Sequence, residues 1–157
     1  MAHFAELNSS NEVLRVIVIS NEDVDSNGGD LHADAETFVK TIVPHSENGT
    51  AWKQTSYNSN FRKQYAGIDM IYNASKNKFL VQQPYASWAL DGSDDWKAPI
   101  TYPSVIDDGK DTPVWYYMIS WNETKYNADN NTGWEATKSN DDAETKTVYN
   151  WNGSAWA

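Results

Sequence analysis

Apolar and polar positions begin to alternate at the first residues. Phe4-Ala5-Glu6-Leu7 alternates, Asn8-Ser9-Ser10-Asn11 is a cluster of turn formers, and Val13-Leu14-Arg15-Val16-Ile17-Val18-Ile19 is rich in β-branched residues. Together they predict a β-hairpin over residues 3–20. The continuous apolar end of its second strand predicts a central strand buried on both faces. Asn21 to Asp30, punctuated by Asn27-Gly28-Gly29, predicts a loop. The period then changes. Phe38, Val39 and Ile42 recur at helical spacing, Asp34 is placed to cap, Glu36 suits the positive N-terminal end, and Pro44 stops the run. One helix over about 33–43 is expected. It is too short to stand alone and must pack on a sheet.

Trp52 to Tyr57 alternates large and polar groups and predicts a strand. A second hairpin is predicted over 68–83, where Tyr72-Asn73 to Leu80 repeats the pattern of Leu7-Asn8 to Leu14 with one extra residue. After Pro84 a smaller unit recurs: an aromatic, then Asn or Asp, then turn formers, then an aromatic. It occurs at Trp88–Trp96, Trp121–Tyr126, Tyr126–Trp134 and Trp151–Trp156. Asn-Gly and Asp-Gly turns between aromatics predict short hairpins. A lone hairpin is marginal in water, so this tail is expected to lie on the core, on a second copy or on another protein. Pro99, Pro103 and Pro113 with Asp107-Asp108-Gly109 mark a linker inside it. The expected fold class is α+β, mostly β. Residues 1–86 form an antiparallel sheet plus helix, and 87–157 an aromatic, acidic tail of hairpins.

Composition narrows the function. The 157 residues contain no cysteine, which excludes disulfides, thiolate nucleophiles and cysteine-ligated zinc. The opening Met1-Ala2-His3-Phe4-Ala5-Glu6 lacks the pattern of a secretory signal, and the longest apolar run, Val16 to Ile19, is far short of a membrane span. A soluble protein made in the cytoplasm is expected. Six Asn-x-Ser/Thr sites, at Asn8, Asn48, Asn73, Asn122, Asn130 and Asn152, are read as an accident of an Asn-rich chain. The net charge is −10, with a balance of −3 over residues 1–85 and −7 over 86–157. An acidic surface repels phosphate backbones and anionic membranes, so neither nucleic acid nor membrane is an expected partner. Seven of the eight tryptophans lie after residue 85. Disordered acidic segments are poor in tryptophan, so this half is expected to fold.

The sharpest candidate for chemistry is Asp23-Val24-Asp25-Ser26-Asn27-Gly28, with Asp34 at the twelfth position, which fits the spacing of a calcium loop. The short Asp at position twelve, the polar Asp30 at position eight and the strand ahead of it weigh against that. The reading adopted is an acidic surface loop with no metal, calcium being the competitor. His3, His32 and His45 show no metal-ligand spacing. The pairs Asp94-Asp95, Asp107-Asp108 and Asp141-Asp142 resemble glycosidase carboxylates only in being paired. Each sits among turn residues, where Asp bonds locally. Nucleophile elbows and phosphate-binding glycine loops are absent, so no catalytic residue and no cofactor are expected. Arg62-Lys63, the one strong basic cluster, is a candidate contact for an acidic partner. Trp115, Trp121, Trp134, Trp151 and Trp156 are read as cross-strand pairs and protein anchors. Stacking on sugar rings is the other use of exposed tryptophan.

Several segments together resemble one family. Trp-x-Gln-Thr-Ser-Tyr-Asn at 52–58, Arg-Lys-x-Tyr-Ala-Gly-Ile at 62–68, the Tyr-containing hairpin at 71–79, Pro-Tyr-x-Ser-Trp-x-Leu-Asp at 84–91 and Trp-x-Ala-Pro-x-x-Tyr-Pro at 96–103 are similar to small virion-associated proteins of marine tailed bacteriophages, including cyanophages. The likeness covers roughly residues 1–103, and 104–157 depart from the family's shorter ending. It implies a phage context and carries over no catalytic residues. The expected function is therefore a non-enzymatic virion structural protein. The first choice is a decoration or cement protein bound across major capsid subunits. The alternatives are a tail- or fibre-associated protein that binds host-surface glycan, and a non-virion assembly factor. Partners would be the major capsid protein, other virion proteins or a second copy.

Overall fold

The computed structural model describes all residues, Met1–Ala157. The chain is α+β and mostly β, built of small antiparallel sheets with three short helices, and it divides into Met1–Gln82 and Gln83–Ala157.

In the first unit, β1 (Ala2–Leu7) lies between β2 (Val13–Ile19) and β3 (Ala51–Thr55). Both pairings are antiparallel, and the register of β1 with β2 shifts between Glu6 and Leu7. The strand buried on both faces is therefore β1, and β2 is an edge with Val18 exposed, which corrects the expectation for 13–19. One face presents Ala2, Phe4, Ile19 and Trp52, covered by Val24, Ala35 and Val39 from two helices. The other presents Ala5, Leu7 and Val13, covered by Ala66, Tyr72 and Phe79. Burial of Tyr72 and Phe79 places the hairpin of β4 (Ile71–Asn73) and β5 (Lys78–Leu80) over that second face.

The two hairpins share turn chemistry. The Asn8 side-chain oxygen accepts the N–H groups of Ser10 and Glu12, and Asn11 adopts φ 62°. The Asn73 oxygen accepts the N–H of Lys76, and Asn77 adopts φ 51°. Asn serves at both ends because it caps its own turn and tolerates the left-handed region.

The predicted loop at 21–30 contains a helix, α1 (Asn21–Ser26). Ser20 caps it by accepting the Asp23 N–H and donates its hydroxyl to the Asp23 carboxylate. This local capping at Ser20 starts a helical turn ahead of Gly28 and Gly29, which corrects the loop expected over 21–30. Helical backbone across Asp23 and Asp25 also removes the alternating loop geometry that calcium requires, and no group of three or more acidic or His side chains is placed to hold a metal ion. The second helix, α2 (Ala33–Ile42), falls where expected. Its cap is His32 rather than Asp34, and it buries Ala35 and Val39 while Ile42 stays exposed.

The second unit has its own core, so it is more than a string of hairpins. β8 (Tyr117–Trp121), β9 (Trp134–Lys138) and β10 (Tyr149–Asn150) form an antiparallel sheet, preceded by a small hairpin of β6 (Ala89–Leu90) and β7 (Trp96–Lys97). Of the four aromatic units, Trp88–Trp96 holds the β6–β7 hairpin and Trp151–Trp156 closes through a bridge. Trp121–Tyr126 instead enters a helix, α3 (Glu123–Ala128), because the Asn122 oxygen caps it by accepting the Lys125 N–H. Tyr126–Trp134 runs from that helix into β9 and is no hairpin either. Pro103 is fully buried, so the stretch around it packs rather than links. No helix of the chain is long and apolar enough to cross a membrane.

Gly133 shows how closely this second core is fitted. Its φ is 151°, and a Cβ there would lie 2.5 Å from Cη2 of Trp121. Gly133→Ala is expected to lower the urea midpoint by the equivalent of about 1–3 kcal/mol, since overpacking forces the indole to shift. Gly153→Ala also sits at positive φ but in open space, so it is the control for backbone strain alone.

Candidate functional site

The residues singled out as partner contacts are mostly committed to the interior. Trp121, Trp134 and Trp151 are each about 6% exposed and form the core of the second unit. Trp121 and Trp134 meet edge to face at 5.0 Å, and Trp88 sits edge-on to both at 6.2 and 6.0 Å. The Trp134 indole N–H donates to the Ile100 carbonyl, and that of Trp121 to Glu123. Trp156 packs against Tyr117 and Trp151 and donates its N–H to the Val105 carbonyl. Trp115 is half-buried, with Tyr117 at its edge and the Lys138 ammonium 4.6 Å over its ring. This corrects the expectation for the buried three: Trp121, Trp134 and Trp151 have no open ring face for a sugar or a capsid. Burying indoles is how a short, charge-rich segment assembles a core.

Arg62 is corrected in the same way. Its side chain is 6% exposed and reaches Glu36 at 2.8 Å, the Gln54 carbonyl at 2.7 Å and the Asn77 amide oxygen at 2.9 Å, beside the Tyr72 ring at 5.4 Å. Its charge is spent inside the first unit. Lys63, next to it, is half-buried at φ 71°.

The acidic groups are structural as well. Glu6 is fully buried and takes hydrogen bonds from Arg15 at 2.6 Å and from the Ser46 N–H and hydroxyl at 2.7 and 2.9 Å, with His45 at 3.0 Å. Burial alone would raise its carboxyl, but these partners, Arg15 foremost, hold it below the usual carboxylate range. Glu123 is held low by the Trp121 indole and by Ser87. Glu135 and Asp108 are held low by Lys125 and Lys110 against burial, and Asp141 by the N–H groups of Thr147 and Ala143. A general acid needs the opposite displacement.

The depressed Glu6 has a consequence for stability. A carboxyl with a lowered folded-state value stabilises the fold above its unfolded value, about 4.3. That contribution is lost as pH falls through the folded value. Glu6→Gln is expected to cost about 2 kcal/mol at neutral pH, the scale of hydrogen bonds to a charged group. Arg15 is 40% exposed, so solvent screens part of the pair. Urea midpoints of Glu6→Gln should fall less steeply below pH 5 than wild type; parallel pH profiles would refute the assignment.

What the second unit exposes is aliphatic and aromatic, and lies elsewhere. Asp107 bridges to Tyr116, the Tyr117 N–H donates to the Ile106 carbonyl at 2.8 Å, and the Ser139 N–H donates to Tyr116. These bonds set 105–107, 114–118 and 138–139 side by side. Val105, Val114, Tyr116 and Met118 are 40–69% exposed on one face of this strip, which Asp107 shares, while Ile106 lies opposite Tyr117 on the other face. Asp107 and Asp108 stand next to Ile106 and, with Val105, Ile106 and Trp115, line a shallow depression of about 520 Å³. The strip is hard to find in the sequence. Val-Trp-Tyr-Tyr-Met-Ile-Ser-Trp over 114–121 is almost wholly apolar, so its alternation shows only once Trp115, Tyr117 and Ile119 are seen to be the more buried set.

Comparison with known protein families, with curated proteins and with solved structures finds no match to this chain.

Proposed function

We propose that the chain is a non-enzymatic virion structural protein, a decoration or cement protein on the outer face of a phage head. The observation that carries this reading is the exposed strip of Val105, Val114, Tyr116 and Met118, with Asp107 opposite Tyr116 on the same face. Contiguous exposed apolar surface with a polar rim marks a protein-contact face. The resemblance of residues 1–103 supplies the phage context, and the structural use of the carboxylates gives no support to an acid–base role. The mechanism is adhesion: the strip buries against neighbouring major capsid subunits and holds them together against outward pressure. The net charge of −10 keeps the rest of the surface soluble and free of non-specific attachment.

Quantitative mass spectrometry of purified particles tests the reading. Hundreds of copies per virion are expected. A handful to tens would place the protein on the tail, and absence from mature particles would make it an assembly factor; either outcome overturns decoration. Met118→Glu combined with Val114→Glu probes the strip without touching the tryptophan core. Occupancy of empty heads should drop at least tenfold with the melting temperature unchanged, and wild-type occupancy would remove the strip from the argument.

A further inference from the structure

We propose that the first unit carries a binding site for one neutral saccharide ring, in the cleft beside Tyr57. This goes beyond capsid adhesion and rests on different residues in a different unit.

The cleft has a volume of about 220 Å³, room for a single sugar ring rather than a bound chain. Its wall includes His3, Asn21, Asp25, Gln54, Asn58 and Asn60 around Tyr57. Three features give it the chemistry of a sugar site. The first is a platform. Tyr57 is 69% exposed, yet its ring is not loose: His3 stacks on it at 5.6 Å and Tyr65 meets it edge-on at 5.4 Å. One ring face is covered, which leaves the other for the C–H face of a pyranose. A ring ordered before binding loses little rotamer freedom on contact.

The second feature is the set of polar groups around that platform. The side chains of Asn21, Asp25, Asn58 and Asn60 make no hydrogen bonds within the chain. Three amides and a carboxylate together offer donors and acceptors in adjacent pairs, which is what vicinal hydroxyls require. The backbone holds two of them in place. A tight turn, with the Ser59 N–H donating to the Ser56 carbonyl and Ser59 at φ 56°, projects Asn58. The Asn60 N–H donates to the Ser56 hydroxyl. The floor is rigid too, because the Gln54 amide is spent between the Leu31 N–H and the Asp30 carboxylate.

The third feature is charge. Two carboxylates, Asp25 and Asp30, line the wall against one cationic group, the Met1 amino terminus, and no Lys or Arg lines it. Phosphorylated, sulfated or uronic sugars are therefore disfavoured. Open amides outnumber the one open carboxylate, which favours a neutral ring over a cation.

Saturation-transfer NMR on the full chain tests this, with glucose, galactose, mannose, N-acetylglucosamine and N-acetylgalactosamine as separate probes and putrescine as the cationic competitor class. At least one sugar should receive saturation at its ring protons. Tyr57→Phe should keep the signal, and Tyr57→Ala should abolish it. The double variant Asp25→Ala, Asn58→Ala is exposed at both positions and should weaken binding at least tenfold with an unchanged melting temperature. Silence from all five sugars, a signal that survives both Tyr57→Ala and the double variant, or binding of putrescine alone would each overturn the proposal. Virion copy number is untouched by any of these outcomes, so this site and the decoration role fail independently.

Discussion

Trp134→Ala should unfold the second unit rather than uncouple it from a partner. The indole is about 6% exposed and meets Trp88, Trp121 and Tyr102 at ring distances of 6.0, 5.0 and 5.0 Å. It also supplies the N–H that ties the Ile100 carbonyl to β9. Truncating a buried tryptophan costs about 3–5 kcal/mol, from lost transfer energy plus the cavity left behind. A small unit has little more than that in total, since whole domains are stable by only about 5–15 kcal/mol. Gln83–Ala157 is of that small size, and the loss falls on its core of three buried tryptophans. Near-UV circular dichroism and tryptophan emission should therefore show an exposed, mobile environment at room temperature. If the variant keeps the wild-type spectrum and midpoint while particle binding is lost, Trp134 is a contact residue after all and the core assignment is wrong. Met118→Glu is the mirror case, expected to leave both spectra unchanged.

Turn chemistry was the most legible part of this chain because it is local. Asn8 with Asn11, and Asn73 with Asn77, each set a hairpin through bonds that span at most four residues. The order of strands was not legible. β1 becomes central only because β3 arrives more than forty residues later and pairs Trp52 opposite Glu6. The alternation through Glu6 gives no sign that its carboxylate is buried. Its burial depends on Arg15, His45 and Ser46, which no alternation pattern reports. The helices α1 and α3 were misread for a shared reason. Ser20 and Asn122 are residues that start both turns and helices, and only tertiary packing of Val24, or the pairing of Trp121 with Trp134 just ahead of α3, decides between them.

The candidate sites were legible in kind but not in place. The abundance of aromatic residues after 85 predicts a folded segment, and the same abundance hides which rings face outward. A tryptophan spacing around turns fits a core pair and a surface anchor equally well. The exposed strip uses two Val, one Met and one Tyr, residue types that stand out less than Trp in a sequence. The cleft at Tyr57 falls inside the recognisable segment 52–58, yet its partners come from His3 and from Asn21 and Asp25 on the α1 side. Only the fold brings those three stretches together.

Arg62→Ala should destabilise the first unit by about 3–5 kcal/mol, the cost of breaking a buried ion pair from one side. The guanidinium joins three elements at once: Glu36 on α2, the Gln54 carbonyl on β3 and Asn77 in the β4–β5 turn. Its own carbonyl accepts the N–H of Phe79, so the main chain at 62 is fixed to the same hairpin. Glu36 keeps Lys53 at 2.5 Å after the substitution, which offsets part of the uncompensated charge and sets the expectation at the lower end, about 3 kcal/mol. Arg62→Lys should recover only a fraction, because an ammonium cannot reproduce the fork that serves Glu36, Gln54 and Asn77 together. A double-mutant cycle with Glu36→Gln in urea isolates the pair, and residues sharing a network couple by about 0.5–3 kcal/mol. Coupling near zero, with Arg62→Ala as stable as wild type, would return Arg62 to the surface as a partner contact; strong coupling with unchanged particle occupancy per folded molecule confines its role to the fold.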